Sequence, residues 1–143
     1  RLDMVVDAVK LQLLDFPIPD TGSFPDDATA FLFEVADRLN DPEKVRIIGE
    51  LVAQGARDPA LATALRTHLL GPRRAALLAM IDRGVARGEL PADTDRPVLA
   101  DLLVGPLYHR ALISGEVVDH DVARRIVATV MAGDARGEAR VAT

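Results

Sequence analysis

The sequence predicts an all-helical bundle of about six helices, and three observations support this fold class. Apolar residues recur every three or four positions along most of the 143 residues, which is the spacing of one helical face. The composition is 49% apolar but only 3% aromatic, so Leu, Ala and Val must form most of the core. No stretch alternates apolar and polar residues with the period of two that is typical of a strand.

The first two helices are predicted on either side of a proline-containing connection. Apolar residues share one face over residues 1–14, and the run Phe16-Pro17-Ile18-Pro19 ends that helix because proline restricts the backbone and removes donors. Ser23, followed by an acid three residues later, resembles an N-cap for the second helix. The second helix is predicted to carry an apolar face and to end near Asn40. That face consists of Phe31, Leu32, Val35 and Leu39.

The next two helices are each predicted to begin at an aspartate followed by proline. Asp41 and Asp58 would accept hydrogen bonds from the first helical amides. The first of these helices is predicted to turn Val45, Ile48, Leu51 and Val52 inward, and the second Leu61, Leu65 and Leu69. Gly71-Pro72 is expected to kink or interrupt the second helix. The pattern resumes to Val85, and Gly88 is a natural C-terminal cap.

Residues 95–114 form the most apolar helical segment, and their apolar side chains occupy both sides of the helix. At about 100° per residue, Val98, Leu102 and Leu112 fall on one side. Leu103 and Leu107 fall on the opposite side. A helix that is apolar all round must be covered all round, and one small domain covers one side. A second copy of the chain is the simplest cover for the other side, so we expect a homodimer.

Two features of the C-terminal third have alternative interpretations. Gly105-Pro106 either kinks its helix and opens a cavity, or allows a tight helix crossing. Residues 119–121 (DHD) superficially suggest a metal site, but consecutive helical residues point about 100° apart and cannot converge on one ion. Capping of a last helix that begins near Asp119 explains them better, and we predict no metal site. Arg73-Arg74 could bind an anion, although such a pair is more typical of a solvated helix face.

Four short motifs in a fixed order resemble the C-terminal ligand-sensing domain of TetR-family transcriptional regulators. They are DPAL at 58–61, PRR at 72–74, RGEL at 87–90, and GPLYHR at 105–110 followed by SGE at 114–116. The resemblance extends from about Phe24 to Met131. The family's N-terminal helix-turn-helix does not precede Arg1, and the net charge of −5 makes this segment alone a poor candidate for binding nucleic acid. We therefore expect the DNA-binding domain to lie outside this chain.

The resemblance implies a domain organisation and two sets of site residues. Residues 1–14 would end the helix that links to the DNA-binding domain, residues 15–132 would form the ligand-sensing and dimerisation domain, and residues 133–143 a flexible tail. The predicted ligand site comprises Phe16, Phe31, Val35, Leu51, Leu77, Met80, Tyr108 and His109. The predicted dimer interface, a bundle of the last two helices of each subunit, comprises Leu103, Leu107, Arg110, Val122, Ile126 and Val130.

The function implied is that of a TetR-like regulator, a repressor released from operator DNA by a small apolar or amphipathic effector. We expect a cytoplasmic homodimer with no cofactor and no membrane association. The chain has no cysteine and shows no nucleophile, phosphate-loop or paired-acid motif, so we do not expect an enzyme. The alternative function is a stand-alone helical module that binds a partner helix in a groove.

Overall fold

The computed structural model describes Met4, residues 7–9 and residues 13–142, with side chains described up to Gly133. All regular structure in these ranges is helical, as predicted. The α-helices there are α1 (Phe24–Leu39), α2 (Pro42–Arg57), α3 (Pro59–Ala64), α4 (Gly71–Ala86), α5 (Arg96–His109) and α6 (His120–Ala142). Wider π-helical turns follow α3 at Leu65–Leu70 and α5 at Arg110–Ser114. Met4, residues 7–9 and Leu13, in the segment predicted as the first helix, are also helical.

Side-chain caps begin the helices where the sequence predicts them. The Ser23 hydroxyl accepts a hydrogen bond from the Asp26 amide at 3.4 Å and caps the N-terminus of α1. Asp41 and Asp58 accept from amides of the first turns of α2 and α3 at 3.0 and 3.1 Å. Gly88, with φ of 78°, lies just beyond the end of α4, where a left-handed residue satisfies the helix C-terminus. Local chemistry therefore accounts for the starts of three helices and the end of a fourth.

The main core forms around α1, which contacts α2, α4, α5 and α6. Its largest fully buried apolar side chains are Phe24, Leu32, Met80, Ile81, Leu103 and Leu107. Helices α1 and α4 cross closely at Gly84, where an added Cβ would lie 3.0 Å from the Cβ of Phe24. A larger residue at this crossing would push the two helices apart.

A smaller apolar cluster joins the N-terminal helical segment to α3 and the π-turn after it. It consists of Val9, Leu13, Leu61, Leu65 and Leu69. Helix α2 borders this cluster and has no fully buried residue. The prediction that Val52 points inward is wrong, because its side chain is 64% exposed. Of the four residues predicted to point inward, Val45 and Ile48 pack against the main core and Leu51 against the small cluster, whereas Val52 lies outside both.

The last helix is longer than the sequence predicts. Helix α6 continues through Ala142, so the backbone after Gly133 is helical, and the flexibility of this tail stays a prediction. A single glycine inside a helix costs about 1 kcal/mol relative to alanine, which does not suffice to end it. The residues after Gly133 are rich in Ala, Arg and Glu, which favour helix. None of the described helices is both long and apolar enough to cross a membrane.

Polar side chains hold the connection before α1 against α4. The fully buried carboxylate of Asp27 accepts hydrogen bonds from the Thr21 amide at 2.6 Å and the Thr21 hydroxyl at 2.7 Å. Arg83 donates to the Pro19 carbonyl at 2.9 Å. At the start of α1, the Phe24 amide donates to Glu89, with distances of 2.9 and 3.1 Å to the two carboxylate oxygens. These contacts fix the direction in which the chain enters the core.

We expect the stabilisation by Glu89 to depend on pH. Burial alone would raise the pKa of Glu89, but the hydrogen bonds from Arg87 and the Phe24 amide outweigh it and lower the pKa. A carboxylate with a lowered folded-state pKa stabilises the fold above its unfolded value of about 4.3 and loses that effect as pH falls through the folded-state pKa. Glu89→Gln should therefore lower Tm at pH 7, and the difference from wild type should shrink below about pH 4.3. A difference that stays constant in thermal melts from pH 7 to 3 would contradict this.

Candidate functional site

Six of the eight residues predicted to bind a ligand lie together in or against the main core. They are Phe16, Phe31, Val35, Leu77, Met80 and Tyr108. They come from the connection before α1, from α1, from α4 and from α5, so the site forms only when these elements pack. Phe16 and Phe31 meet edge to face, with ring centroids 5.6 Å apart. This aromatic pair provides an apolar surface next to the N-terminal segment.

Two arginines lie over the ring of Phe16. The guanidinium carbon of Arg38, near the end of α1, is 4.3 Å from the Phe16 ring centroid. That of Arg73, in the first turn of α4, is 4.0 Å from the same centroid and 5.7 Å from that of Phe31. These distances are within the range of about 6 Å for cation–π attraction. The aromatic pair is therefore combined with two positive charges.

The guanidinium of Arg73 uses only part of its hydrogen-bonding capacity. Its Nη1 donates to the Phe16 carbonyl at 3.1 Å, whereas Nε and Nη2 are buried and have no partner among the described residues. Burial, with the positive charge of Arg38 as a second cause, lowers the pKa of Arg73. Burial also raises the pKa of Tyr108, although the charge of Arg73 opposes this shift. The charge of Arg73 therefore acts on the Tyr108 phenol as well as on the two aromatic rings.

The other two predicted ligand residues lie away from this group. Leu51 packs against the small cluster that holds Val9 and Leu13. His109 is exposed on the side of α5 that faces away from the core. Tyr108 and His109 are adjacent in the sequence and point about 100° apart on the helix, so only Tyr108 packs against the core.

The outer face of α5 and the turn after it is exposed and largely apolar. It consists of Val98, Leu102, Gly105, His109 and Leu112, at spacings of four and three residues. Ile113, on the following π-turn, is 77% exposed. We call the five residues from Val98 to Leu112 the α5 outer face. Exposed apolar side chains in a regular helical register indicate an interaction surface.

A groove of about 820 Å³ runs beside the α5 outer face, between α5 and α6. Its lining from α5 and the turn after it includes Val98, Leu102, Pro106 and Arg110, and its lining from α6 includes Val122, Ile126, Thr129 and Val130. Four of the six predicted interface residues therefore line one open groove. Arg110 is held at its edge by a hydrogen bond to the Val117 carbonyl at 3.1 Å and an ion pair with Glu116 at 3.3 Å.

The other two predicted interface residues, Leu103 and Leu107, are fully buried inside the subunit. They have no exposed surface that a second copy could cover, so they belong to the core side of α5. The sequence pattern separates two apolar sides of this helix correctly, but the side assigned to the interface is the inner one. The exposed residues at the corresponding positions of the α5 outer face are Val98 and Leu102.

The residues of the DHD segment at the start of α6 make separate contacts, including an ion pair between Asp121 and Arg125 at 3.4 Å. Asp119 caps the helix as predicted, accepting from the Val122 amide at 2.9 Å. His120 stacks on Phe33, with ring centroids 3.9 Å apart, and its Nε2 lies 2.7 Å from an Asp37 oxygen. In the described part of the chain, no group of three or more His, Cys, Asp or Glu side chains is arranged to hold a metal ion.

Residues 18–130 match the family described as tetracyclin repressor-like, C-terminal domain. The match covers most of the chain and includes the core, the aromatic pair's Phe31 and the α5 outer face. The chain belongs to this TetR family. The resemblance drawn from the four short motifs is therefore confirmed, and so is the all-helical fold.

Individual relatives of this TetR chain include regulators and a solved structure. It is 34% identical over 117 residues to the uncharacterized HTH-type transcriptional regulator YdeS of Bacillus subtilis, covering 82% of the chain and 59% of YdeS. It is 31% identical over 77 residues to the DNA-binding transcriptional repressor TetR of Mycobacteroides abscessus, covering 54% of the chain and 40% of that protein. The crystal structure of the TetR family transcription regulator SCO0332 superposes with a TM-score of 0.79 at 32% identity, covering 92% of the chain and 71% of that structure.

Sequence reasoning about this TetR domain missed Arg38 and left Arg73 undecided. Arg38 follows Glu34 by four residues, and such a pair predicts a solvated helix face. Its contact with Phe16 crosses from α1 to a connection without regular structure, and no periodicity predicts such a contact. Arg73 and Arg74 are consecutive residues of α4 and point in different directions. Arg73 contacts Phe16 at the core, and Arg74 pairs with Asp101.

Proposed function

We propose that this chain is the effector-binding and dimerisation domain of a TetR-like transcriptional regulator, a repressor that a small, largely apolar ligand releases from operator DNA. The observation that supports it best is the two-sided helix α5. Leu103 and Leu107 on its inner side close the core, and its outer face is apolar and uncovered. A role on operator DNA places the protein in the cytoplasm, with DNA bound by an N-terminal domain outside this chain.

The α5 outer face supports a homodimer with a close helix crossing. Gly105 lies at the centre of this face, and an added Cβ there would meet no atom within 4 Å. The glycine therefore does not serve a crossing within the subunit, and a second α5 could approach it closely. Together with the groove beside α6, two helices per subunit could bury the ~2,000 Å² or more that obligate interfaces often reach.

The proposed mechanism is a population shift between two conformations. The aromatic pair and Arg73 contact the connection through which the N-terminal segment enters the core. A ligand that occupies this site would favour one position of that segment, and the segment would carry the DNA-binding domain. Two such domains must reach half-sites about 34 Å apart, so a small displacement suffices to weaken binding. Effector and operator then oppose each other reciprocally, with a coupling of about 1–3 kcal/mol.

The open groove favours a second candidate function. A groove between two helices that is lined by Val98, Leu102 and Ile126 could also receive a helix of another protein. In that case the chain would be a stand-alone interaction module and would be monomeric when free. The oligomeric state distinguishes the two functions.

Binding of genomic DNA fragments to the full-length protein tests the first function. Wild-type protein should enrich sites with two-fold symmetry, whose half-sites are about one helical turn apart. Leu102→Glu should lower this enrichment at least about tenfold, because the loss of dimers separates the two DNA-binding domains. Val52→Glu, at an exposed position on α2, is the matched control and should leave enrichment unchanged. Failure to enrich any symmetric site would contradict the proposal.

A further inference from the structure

The two guanidinium groups that flank Phe16 have hydrogen-bond donors that nothing in the described chain accepts. Arg38 donates through Nη1 to Glu34, to the carboxylate at 2.7 Å and the carbonyl at 3.0 Å, but its buried Nε has no partner. Arg73 leaves both Nε and Nη2 unpaired. Buried polar groups in proteins are paired in the great majority of cases, and an exception indicates a missing water, ion or ligand.

The two unpaired nitrogens of Arg73 are neighbours on the guanidinium plane. Nε and Nη2 form the side edge of the fork, and that edge presents two parallel N–H bonds. A carboxylate matches this edge with its two oxygens and forms the bidentate pair that gives arginine its preference for planar oxyanions. Nη1, on the other edge, already binds the Phe16 carbonyl. The remaining donors therefore have the geometry that a carboxylate requires.

The charges at this site are unbalanced. Arg38 is paired with Glu34, whereas Arg73 makes no ion pair with any described residue. The two cations lie on one aromatic ring, and the charge of Arg38 disfavours that of Arg73. If Arg73 only held the Phe16 carbonyl, a single neutral N–H donor would suffice. A second positive charge beside Arg38 would not be needed. A negatively charged ligand would remove the repulsion and satisfy the free donors at once.

We propose that the effector is an organic anion, with its carboxylate on the Nε–Nη2 edge of Arg73 and its apolar body against Phe16 and Phe31. This inference rests on the proposed effector-binding function and names the class of ligand. Occupation of the edge acts directly on the N-terminal segment, because the same guanidinium binds the Phe16 carbonyl. Recognition of the ligand and displacement of the connection then share one side chain.

Arg74 provides a matched control for Arg73. It is the next residue on α4, but its side chain is exposed and pairs with Asp101 at 2.8 Å. Removing the charge of Arg74 changes the net charge of the protein as much as removing that of Arg73 does. Any difference between the two variants therefore reports the position of the charge.

Calorimetric titration with three probes of equal tail length tests the inference. The probes are octanoate, 1-octanol and octylammonium, added to the wild-type protein. Octanoate should bind at least roughly tenfold more tightly than octanol, because hydrogen bonds to a charged group are the stronger ones, and octylammonium should not bind. Arg73→Gln should weaken octanoate roughly 10- to 100-fold and leave octanol unchanged, whereas Arg74→Gln should change neither.

Each alternative outcome contradicts the inference. Equal affinity for octanoate and octanol, no binding of octanoate, or equal effects of the two arginine variants would overturn it. If Arg73→Gln loses its helical circular dichroism, the comparison of the three probes on the wild-type protein still tests whether binding requires the carboxylate. The full-length protein separates this inference from the proposed function. Release of DNA by octanol but not by octanoate would leave the function standing and exclude the anion.

Discussion

Replacing Leu102 by glutamate is expected to dissociate the proposed dimer while leaving the subunit folded. Leu102 is 56% exposed on the α5 outer face, so the substitution creates no conflict inside the subunit. In a symmetric dimer the same position from both copies lies in one interface, and two carboxylates would be buried there without partners. An unpaired buried charge costs several kcal/mol, so we expect dimerisation to weaken by at least about 100-fold. Light scattering should then give the 15.4 kDa of one chain, in place of twice that mass for the wild type.

The matched control for this prediction is Val52→Glu. Val52 is an exposed valine on α2 that is not part of the α5 outer face, and the change adds the same charge. This variant should keep the dimeric mass and the helical circular dichroism of the wild type. A wild-type chain that is monomeric at micromolar concentration would contradict the dimer and favour the partner-helix module. A Leu102→Glu variant that stays dimeric would place the interface elsewhere.

The sequence predicts the fold well because the signals that define it are local. Asp41-Pro42 and Asp58-Pro59 place two helix starts through caps that involve neighbouring residues. Gly88 marks a helix end for the same reason. The length of α6 is less predictable, because Gly133 is a weak stop signal and the residues after it favour helix.

The sequence predicts the candidate site less completely because the site depends on contacts between elements. The pattern identifies Phe16, Phe31 and Tyr108, which lie together. Arg73 acquires its environment only from the connection that folds over it, so its two unpaired nitrogens could not be foreseen. For α5, periodicity divides the apolar residues into two sides but contains no information on which side the rest of the chain covers. Leu103 was for that reason assigned to the interface.

A loss of stability without a loss of dimers is the expected result of Leu103→Ala. Leu103 is fully buried in the main core, and removing most of its side chain leaves a cavity. Such substitutions lower the free energy of unfolding by about 2–5 kcal/mol. Urea denaturation should show a lower midpoint at the same slope, at a protein concentration matched to the wild type because dimerisation adds to apparent stability. Leu70→Ala, the same change at a side chain that is 52% exposed, should alter the free energy by less than about 0.5 kcal/mol.

The adjacent positions 102 and 103 should therefore give opposite results. Leu103→Ala should remain dimeric under native conditions despite its lower stability, whereas Leu102→Glu should be monomeric and folded. In the opposite pattern, Leu103→Ala would dissociate the dimer at nearly unchanged stability. That result would show that Leu103 lies in the interface and that the opposite side of α5 faces the core. Ala and Glu are both good helix formers, so neither substitution should disrupt α5 itself. The contrast between them then reports which side of α5 faces the core.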